Sequence, residues 1–341
     1  MRTTATFAKR RTAPLLTGVA TATAAALVAV VVPAAAAGRT GGHTGADHAG
    51  HTAGTVATGN GTTRPGSGSP GTTLVASLRG ADEVPVAGGP AVGDKDGAAL
   101  EFVRIEGDTV SVAVTWRGTG RPTMLHIHQG PKGVNGGVVI DFGKLLDNGV
   151  KGYTVVGSVK VGDTALLTRL KTDPGVFYAN LHTAAFPGGA VRGRLHNVTT
   201  AFDFRHALDN LQASVVTGRQ IYECKRTTGG GYAFAQRDVA ALLGGGILHS
   251  FVKPGSGTPR WVAPDRSAVT GAVVSRTPNG DTNIPELDLL ATPSGKRHGL
   301  LADTAEVLRL NTAGGIAPAG SCTPGTIVGV PYRADYVFVQ H

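Results

Sequence analysis

Short segments of alternating apolar and polar residues, each followed by a turn, extend over residues 72–198. In the clearest of them, residues 110–116, three Val residues and Trp116 alternate with Ser, Ala and Thr. Side chains of a β-strand point alternately to its two faces, so this period of two predicts a strand with one buried face. Clusters of Gly, Pro, Asn and Asp separate such segments about every eight to twelve residues, a spacing typical of an antiparallel sandwich.

The composition also favours strands over helices. Charged residues make up 16% of the chain and Gly contributes 51 residues, whereas helical proteins are rich in Lys, Glu and Leu. We predict a strand at 166–170 and one short amphipathic helix within 202–216. Strand patterns then return and end in a closing strand at 330–338. The sequence predicts a mainly all-β fold: an antiparallel Greek-key or immunoglobulin-like sandwich, followed by a second, disulfide-closed β domain.

Residues 1–37 have the three parts of a signal peptide. A basic start ending at Arg11 precedes an apolar run over 15–32, and four Ala residues at 34–37 offer a cleavage site. An uncleaved membrane anchor is the alternative, although Thr and Gly interrupt the apolar run. We therefore expect a secreted, extracellular protein with no stable membrane span after cleavage.

Residues 38–71 predict a disordered linker, because they are rich in Gly, Thr and Ala and contain almost no large apolar side chain. His43, His48 and His51 lie in this segment. They are either solvated or form a loose metal site that must be ordered on binding.

Two later segments place His residues at strand spacing. In the segment LHIH, His126 and His128 alternate with Leu and Ile, and the later segment YANLHT contributes His182. An extended strand places His126 and His128 on one face, about 6.5–7 Å apart, close enough to share a ligand. Three neutral imidazoles are a ligand set for copper or zinc, so these residues are the candidate metal site.

Two other interpretations of these His residues remain open. In one, the imidazoles are structural and form hydrogen bonds with neighbouring strands and turn backbone. In the other, the paired His and Asn180 donate hydrogen bonds to an extracellular polymer or protein.

The motifs of the first half resemble those of the CHRD domain, a module named from chordin that also occurs in many bacterial exported proteins. The matching segments are GADEVP at 80–85, LHIH at 125–128, YANLHT at 178–183 and FPGGAVRG at 186–193. The resemblance implies a CHRD domain over 72–198 with an all-β sandwich fold. It implies no established catalytic activity.

The last part, residues 204–341, is similar to the DUF3455 family, whose function is unknown. The matching segments are QIYEC at 220–224, Trp261 before DRSAV at 265–269, LRLNT at 308–312 and VPYRADY at 330–336. This resemblance carries no known reaction.

The two cysteines of the chain, Cys224 and Cys322, both lie in this second part. In an exported protein we expect them to pair, with two separate buried thiols as the alternative. A disulfide that closes a loop of roughly 100 residues contributes up to about 4–5 kcal/mol on the chain-entropy model.

The function that we expect is non-catalytic binding or scaffolding outside the cytoplasm, with an unknown extracellular ligand or protein as partner. The alternative is a copper or zinc carrier, or a redox protein, that uses His126, His128 and His182. Exported Cu/Zn superoxide dismutases also build their site on a Greek-key sandwich with a His-x-His strand. Their site needs additional His ligands and an Asp, and nothing in this sequence resembles their metal-binding loop.

Other functional classes find little support in the sequence. It contains no Gly-x-Ser-x-Gly, no Cys/His nucleophile pair and no phosphate-cradling loop, so we predict no catalytic residue and no cofactor besides such a metal. The formal charge is +9, but no Lys/Arg run is interleaved with aromatics. A nucleic-acid partner is therefore not predicted.

Overall fold

The computed structural model describes residues 71–341. The predicted signal peptide, the predicted linker up to residue 70 and the three His residues within that linker lie outside the described residues. Antiparallel strands dominate from residue 71 onwards, which confirms the predicted all-β fold class.

The first ten strands form one antiparallel sheet. It runs in the order β5-β4-β8-β9-β1-β2-β3-β7-β6, and β10 pairs with β1. Several neighbours in the sheet are distant in sequence, so the connections cross over in the Greek-key manner. The strands are β1 Thr72–Arg79, β2 Ala98–Glu106, β3 Thr109–Arg117, β4 Pro122–Gln129, β5 Val138–Asp141, β6 Val150–Lys151, β7 Thr154–Lys160, β8 Phe177–Thr183, β9 Val191–Arg194 and β10 His196–Asn197.

This sheet curls around one apolar core. The residues of the predicted alternating strand, Val110, Val112, Val114 and Trp116, point into it, as does Leu125 of β4. Alternate residues of the same strands point outwards. The inward face therefore takes the apolar side chains, and the outward face of β4 and its neighbours carries the polar ones.

Two short α-helices accompany the sheet, α1 Leu145–Asn148 and α2 Thr164–Thr172. The strand predicted at 166–170 is wrong because these residues belong to α2. The side chain of Asp163 caps this helix by accepting a hydrogen bond from the backbone N–H of Leu166 at 2.9 Å. Leu167 and Leu170 are buried, and their spacing of three residues fits one face of a helix.

The helix predicted within 202–216 is much shorter in the structure. A 3₁₀ helix covers Phe204–Asp209, and strand pairing with the end of the chain begins at Leu211. Pairing with a neighbouring strand therefore overrides the helical spacing of the later apolar residues.

Eight further strands form a closed antiparallel barrel in which each strand pairs with the next and β11 pairs with β18. The expected disulfide joins Cys224 on β11 to Cys322, with 5.8 Å between their Cα atoms. The strands are β11 Leu211–Arg226, β12 Tyr232–Leu243, β13 Leu248–Phe251, β14 Pro259–Val262, β15 Ala268–Thr277, β16 Glu286–Pro293, β17 Thr304–Gly314 and β18 Ile327–Gln340.

The barrel packs against the outward face of the curled sheet. Leu308 and Val337 of the barrel join Val75 and Phe102 of the sheet in one apolar cluster, and Phe204 of the connecting 3₁₀ helix completes it. The two parts therefore share a buried apolar layer.

Candidate metal centre

Strand β4 presents His126 and His128 on its outward face. Leu125 and Ile127 lie between and beside them and are buried in the core of the curled sheet. The sequence alternation therefore orients the two imidazoles, since the core fixes which face of the strand points inwards.

Strand β8 lies beside β4 and adds His182 to the same face. Its residues pair with those of β4, with His182 opposite Met124 and Asn180 opposite His126. His182 is thus a diagonal neighbour of His126, and the centroids of these two rings are 5.4 Å apart. The face that the alternation predicted for His126 and His128 therefore also carries His182, which the sequence alone did not place there.

The three rings form one compact cluster. One nitrogen of each of His126, His128 and His182 lies within 4.8 Å of the corresponding atoms of the other two. A zinc ion bound at about 2.0–2.1 Å from each nitrogen needs them about 3.4 Å apart. Coordination would therefore require the nitrogens of each pair to approach by at most about 1.4 Å.

Turn backbone sets the orientation of two of the rings. Nδ1 of His128 lies 3.0 Å from the carbonyl oxygen of Gly136, and Nδ1 of His182 lies 2.9 Å from that of Pro187. A carbonyl oxygen only accepts, so each Nδ1 carries the proton and each neutral ring has its lone pair on Nε2. Metal-binding imidazoles in proteins typically have this arrangement.

The third ring faces a carboxylate. Nε2 of His126 lies 3.4 Å from Oδ1 of Asp141 at the end of β5. Carboxylate–imidazole pairs of this kind also hold metal-binding His residues in place. No pattern in the sequence indicates Asp141, because only the pairing of β5 with β4 places it beside His126.

Close backbone contact makes Gly136 necessary at its position. A Cβ atom on this residue would lie 1.7 Å from the carbonyl oxygen of Gln129. The neighbouring Gly137 has open space where its Cβ would be. Gly136 therefore lets the loop come close enough to β4 for its carbonyl to reach His128.

An aromatic ring and a cation continue the cluster on one side. The ring of Tyr178 stacks on His128 with 4.8 Å between centroids, and the guanidinium carbon of Arg192 lies 3.4 Å from the Tyr178 centroid. Arg192 also donates to the backbone oxygen of Val134 at 2.7 Å and to the side chain of Asn135 at 3.0 Å. The loop that covers the cluster is thus tied to β9.

Burial keeps His128 neutral. Burial lowers the pKa of His128 to about 4, and the nearby His126, His182 and Arg192 lower it further. The hydrogen bond to the backbone of Gly136 acts in the opposite direction and raises the pKa. A neutral imidazole binds a metal without first losing a proton. His128 is therefore ready to act as a ligand at neutral pH.

A partly buried carboxyl group lies on the same side of the sheet. Burial raises the pKa of Glu83 to about 8, although Arg192 and a hydrogen bond from Asn180 oppose this shift. The amide of Asn180 donates to Glu83 at 3.5 Å. The polar face thus contains Asn180, as the sequence suggested, together with Glu83 of the GADEVP segment.

Other polar residues of the sequence lie outside the cluster. His196 lies 3.7 Å from a carboxylate oxygen of Glu286 on the barrel, and His206 is exposed beside Asp209. Arg194 donates from Nε to the backbone oxygen of Gly175 at 2.9 Å. None of the three belongs to the group formed by the clustered His residues.

None of the helices within residues 71–341 is both long enough and apolar enough to cross a membrane.

Comparison with known proteins assigns families to both parts of the chain. The model of the CHRD domain matches residues 74–195, and the model described as a protein of unknown function, DUF3455, matches residues 246–340. No curated protein and no solved structure matches the chain. The clustered His residues lie within the first match and the barrel contains the second. The chain thus carries a CHRD domain followed by a domain of the DUF3455 family.

Proposed function

We propose that the chain is an exported, non-catalytic binding protein whose CHRD domain holds one copper or zinc ion through His126, His128 and His182. The observation that carries this proposal is the cluster itself, in which three imidazole nitrogens lie within 4.8 Å of one another. Copper and zinc are the metals that sites rich in neutral imidazole most commonly bind.

The surroundings of the cluster support a ligand role over a purely structural one. Structural hydrogen bonds occupy Nδ1 of His128 and His182, and within residues 71–341 the buried Nε2 of His128 has no hydrogen-bond partner. A buried polar atom without a partner is costly, and coordination to a metal removes that cost.

The location of the protein belongs to the same proposal. A disulfide and a CHRD domain are compatible with export, and the N-terminal sequence has the pattern of a signal peptide. We propose secretion, with the metal bound outside the cytoplasm as a carrier or reservoir. A redox role of a bound copper ion is the second candidate, because three imidazoles leave a coordination position for another ligand.

Calorimetric titration of the metal-stripped protein with Zn²⁺ and Cu²⁺ tests the proposal. We expect one high-affinity site that disappears in the double variant His126→Ala/His128→Ala. The exposed His206 provides the matched control, since His206→Ala removes an imidazole outside the cluster. A triple variant, His43→Ala/His48→Ala/His51→Ala, distinguishes metal binding by the N-terminal segment from metal binding by the clustered His residues.

Two results would contradict the proposal. One is a native protein that binds neither metal at micromolar concentration. The other is a double variant that folds and still binds metal as tightly as the native protein.

A further inference from the structure

The interior of the barrel contains both apolar and polar buried side chains. Val239, Leu289, Val307 and Phe338 belong to its apolar core. A cavity of about 70 Å³ is bordered by Val239 and Leu289 of this core and by the polar or aromatic side chains of Gln220, Gln236, His249, Trp261, Arg309 and Tyr336. Two Arg residues border this cavity, and no Asp or Glu does.

Arg309 is a buried cation without an anionic partner. It is 8% exposed, and its Nε and Nη2 donate to the carbonyl oxygen of Pro285 at 3.2 and 2.8 Å. No carboxylate of residues 71–341 lies within ion-pair distance of it. Buried charges in proteins are normally paired, because an isolated charge is costly to remove from water. The cavity beside Arg309 therefore lacks one negative charge.

Two more residues that border the same cavity have a donor without an acceptor. Nε2 of Gln220 and Nε1 of Trp261 are buried without a hydrogen-bond partner among the described residues, and both residues are 1% exposed. The Oε1 of Gln220 accepts a hydrogen bond from Nε2 of Gln236 at 2.7 Å, which leaves Nε2 of Gln220 as the end of this amide without an acceptor. Each donor needs an acceptor on a ligand or on water.

Aromatic rings form the wall of the cavity. His249 stacks on Trp261 with 4.5 Å between centroids, and Tyr336 contacts Trp261 edge-on at 5.6 Å. Burial lowers the pKa of His249 to about 3, and the positive charge of Arg309 lowers it further. The hydrogen bond of His249 to the backbone of Arg260 raises the pKa in the opposite direction. His249 is therefore neutral at physiological pH and adds no charge to the cavity.

We propose that this cavity binds a small carboxylate, of the size of formate or acetate or the carboxylate end of a slender organic acid. Arg309 supplies the positive charge, and Gln220 and Trp261 donate hydrogen bonds to the carboxylate oxygens. Guanidinium groups bind carboxylates well because their planar N–H groups match the two oxygens. The site is independent of the imidazole cluster in the CHRD domain.

The donors and the size of the cavity select this class of ligand. A neutral molecule of the same shape satisfies the hydrogen bonds but leaves the charge of Arg309 unpaired. A bulky ring does not fit a cavity of about 70 Å³. Barrel mouths with a few convergent polar groups are common positions for small-molecule sites.

Titration of the full-length protein with acetate and with acetamide, at constant ionic strength, compares a carboxylate with its neutral isostere. We expect saturable binding of acetate by calorimetry, at least about tenfold tighter than acetamide, and a rise of the melting temperature with acetate. In Trp116→Phe protein, Trp261 is the one remaining Trp, and acetate should change its fluorescence.

Variants then test the individual donors. Arg309→Gln should weaken acetate binding about tenfold or more, and Gln220→Leu severalfold. Arg333→Gln is the control, because Arg333 lies on β18 but is exposed. The proposal is wrong if acetate and acetamide bind equally, or if acetate at about 0.1 M produces neither heat nor stabilisation in the native protein. These results for the native protein test the proposal even if the Arg309→Gln variant does not fold. If a folded Gln220→Leu variant binds acetate as tightly as the native protein, Gln220 does not donate a hydrogen bond to the carboxylate.

Discussion

At the scale of single residues, polar groups within the apolar interior determine how the protein responds to pH. Glu101 on β2 lies opposite Ala76 and Val114, both of which belong to the core of the curled sheet. It is fully buried, and neither carboxyl oxygen has a hydrogen-bond partner among residues 71–341. Burial raises the pKa of Glu101 to about 8, so the group is protonated in the folded protein at neutral pH.

The raised pKa of Glu101 predicts a loss of stability as pH increases. The unfolded chain releases this proton near pH 4.5 and the folded protein near pH 8. The contribution to stability is complete below pH 4.5 and falls by about 1.4 kcal/mol per pH unit until pH 8. Glu101→Gln removes this dependence, so the variant should gain stability over the native protein across that interval in urea unfolding.

Glu106→Gln on the same strand serves as control, because Glu106 lies at the strand end and is partly exposed. If Glu101→Gln and the native protein lose stability in parallel between pH 4.5 and 8, Glu101 is not the protonated group.

At the scale of elements, the loop between β4 and β5 holds the candidate metal site together. Its Gly136 carbonyl accepts from His128, and its Val134 carbonyl accepts from Arg192. Strand positions define the directions of the imidazoles, and the loops set which ring nitrogen faces the cluster.

Two adjacent glycines allow a controlled test of this loop. Gly136→Ala forces the loop away from β4, since its Cβ would lie 1.7 Å from the oxygen of Gln129. We expect metal affinity to fall about tenfold to a hundredfold, as for loss of other groups that orient metal ligands. Gly137→Ala meets no atom within 4 Å and should leave affinity unchanged. Equal affinities of the two variants would show that the loop does not orient His128.

The same elements show what the sequence could predict. Alternation around His126 and His128 predicted their common face, because the period of a strand is fixed by its backbone. Whether His182 shares that face depends on how β8 pairs with β4. Asp141 and the turn carbonyls could not be predicted, since they depend on strand pairing and loop path. The spacing of Leu166, Leu167 and Leu170 fits both a strand and a helix. In the structure these residues form a helix, whose first turn is stabilised by the side chain of Asp163.

At the scale of the whole molecule, a buried polar network accompanies the apolar layer between the curled sheet and the barrel. Asp335 of the barrel accepts hydrogen bonds from Ser77 of the sheet and Asn311 of the barrel, both at 2.8 Å. Arg79 of the sheet lies 3.4 Å from the same carboxylate. Sequence motifs of the second part thus contact the first part, which no local pattern could predict.

Removing the carboxylate of Asp335 should therefore weaken the whole molecule. We expect Asp335→Ala to lower the free energy of unfolding by about 3–5 kcal/mol, because Arg79 and the other donors lose their buried acceptor. Asp281→Ala is the control at an exposed position. Urea unfolding followed by circular dichroism measures both, and a loss below about 1 kcal/mol in Asp335→Ala would show that the network contributes little.

We propose above that three imidazoles of the CHRD domain share one metal ion. X-ray absorption spectroscopy of the zinc- or copper-loaded protein tests it most directly, since imidazole ligands give a characteristic outer-shell scattering pattern. We predict three imidazole nitrogens at about 2.0–2.1 Å from the metal, reduced to two in His182→Gln. A spectrum with oxygen ligands only, or one that His182→Gln leaves unchanged, would contradict the claim.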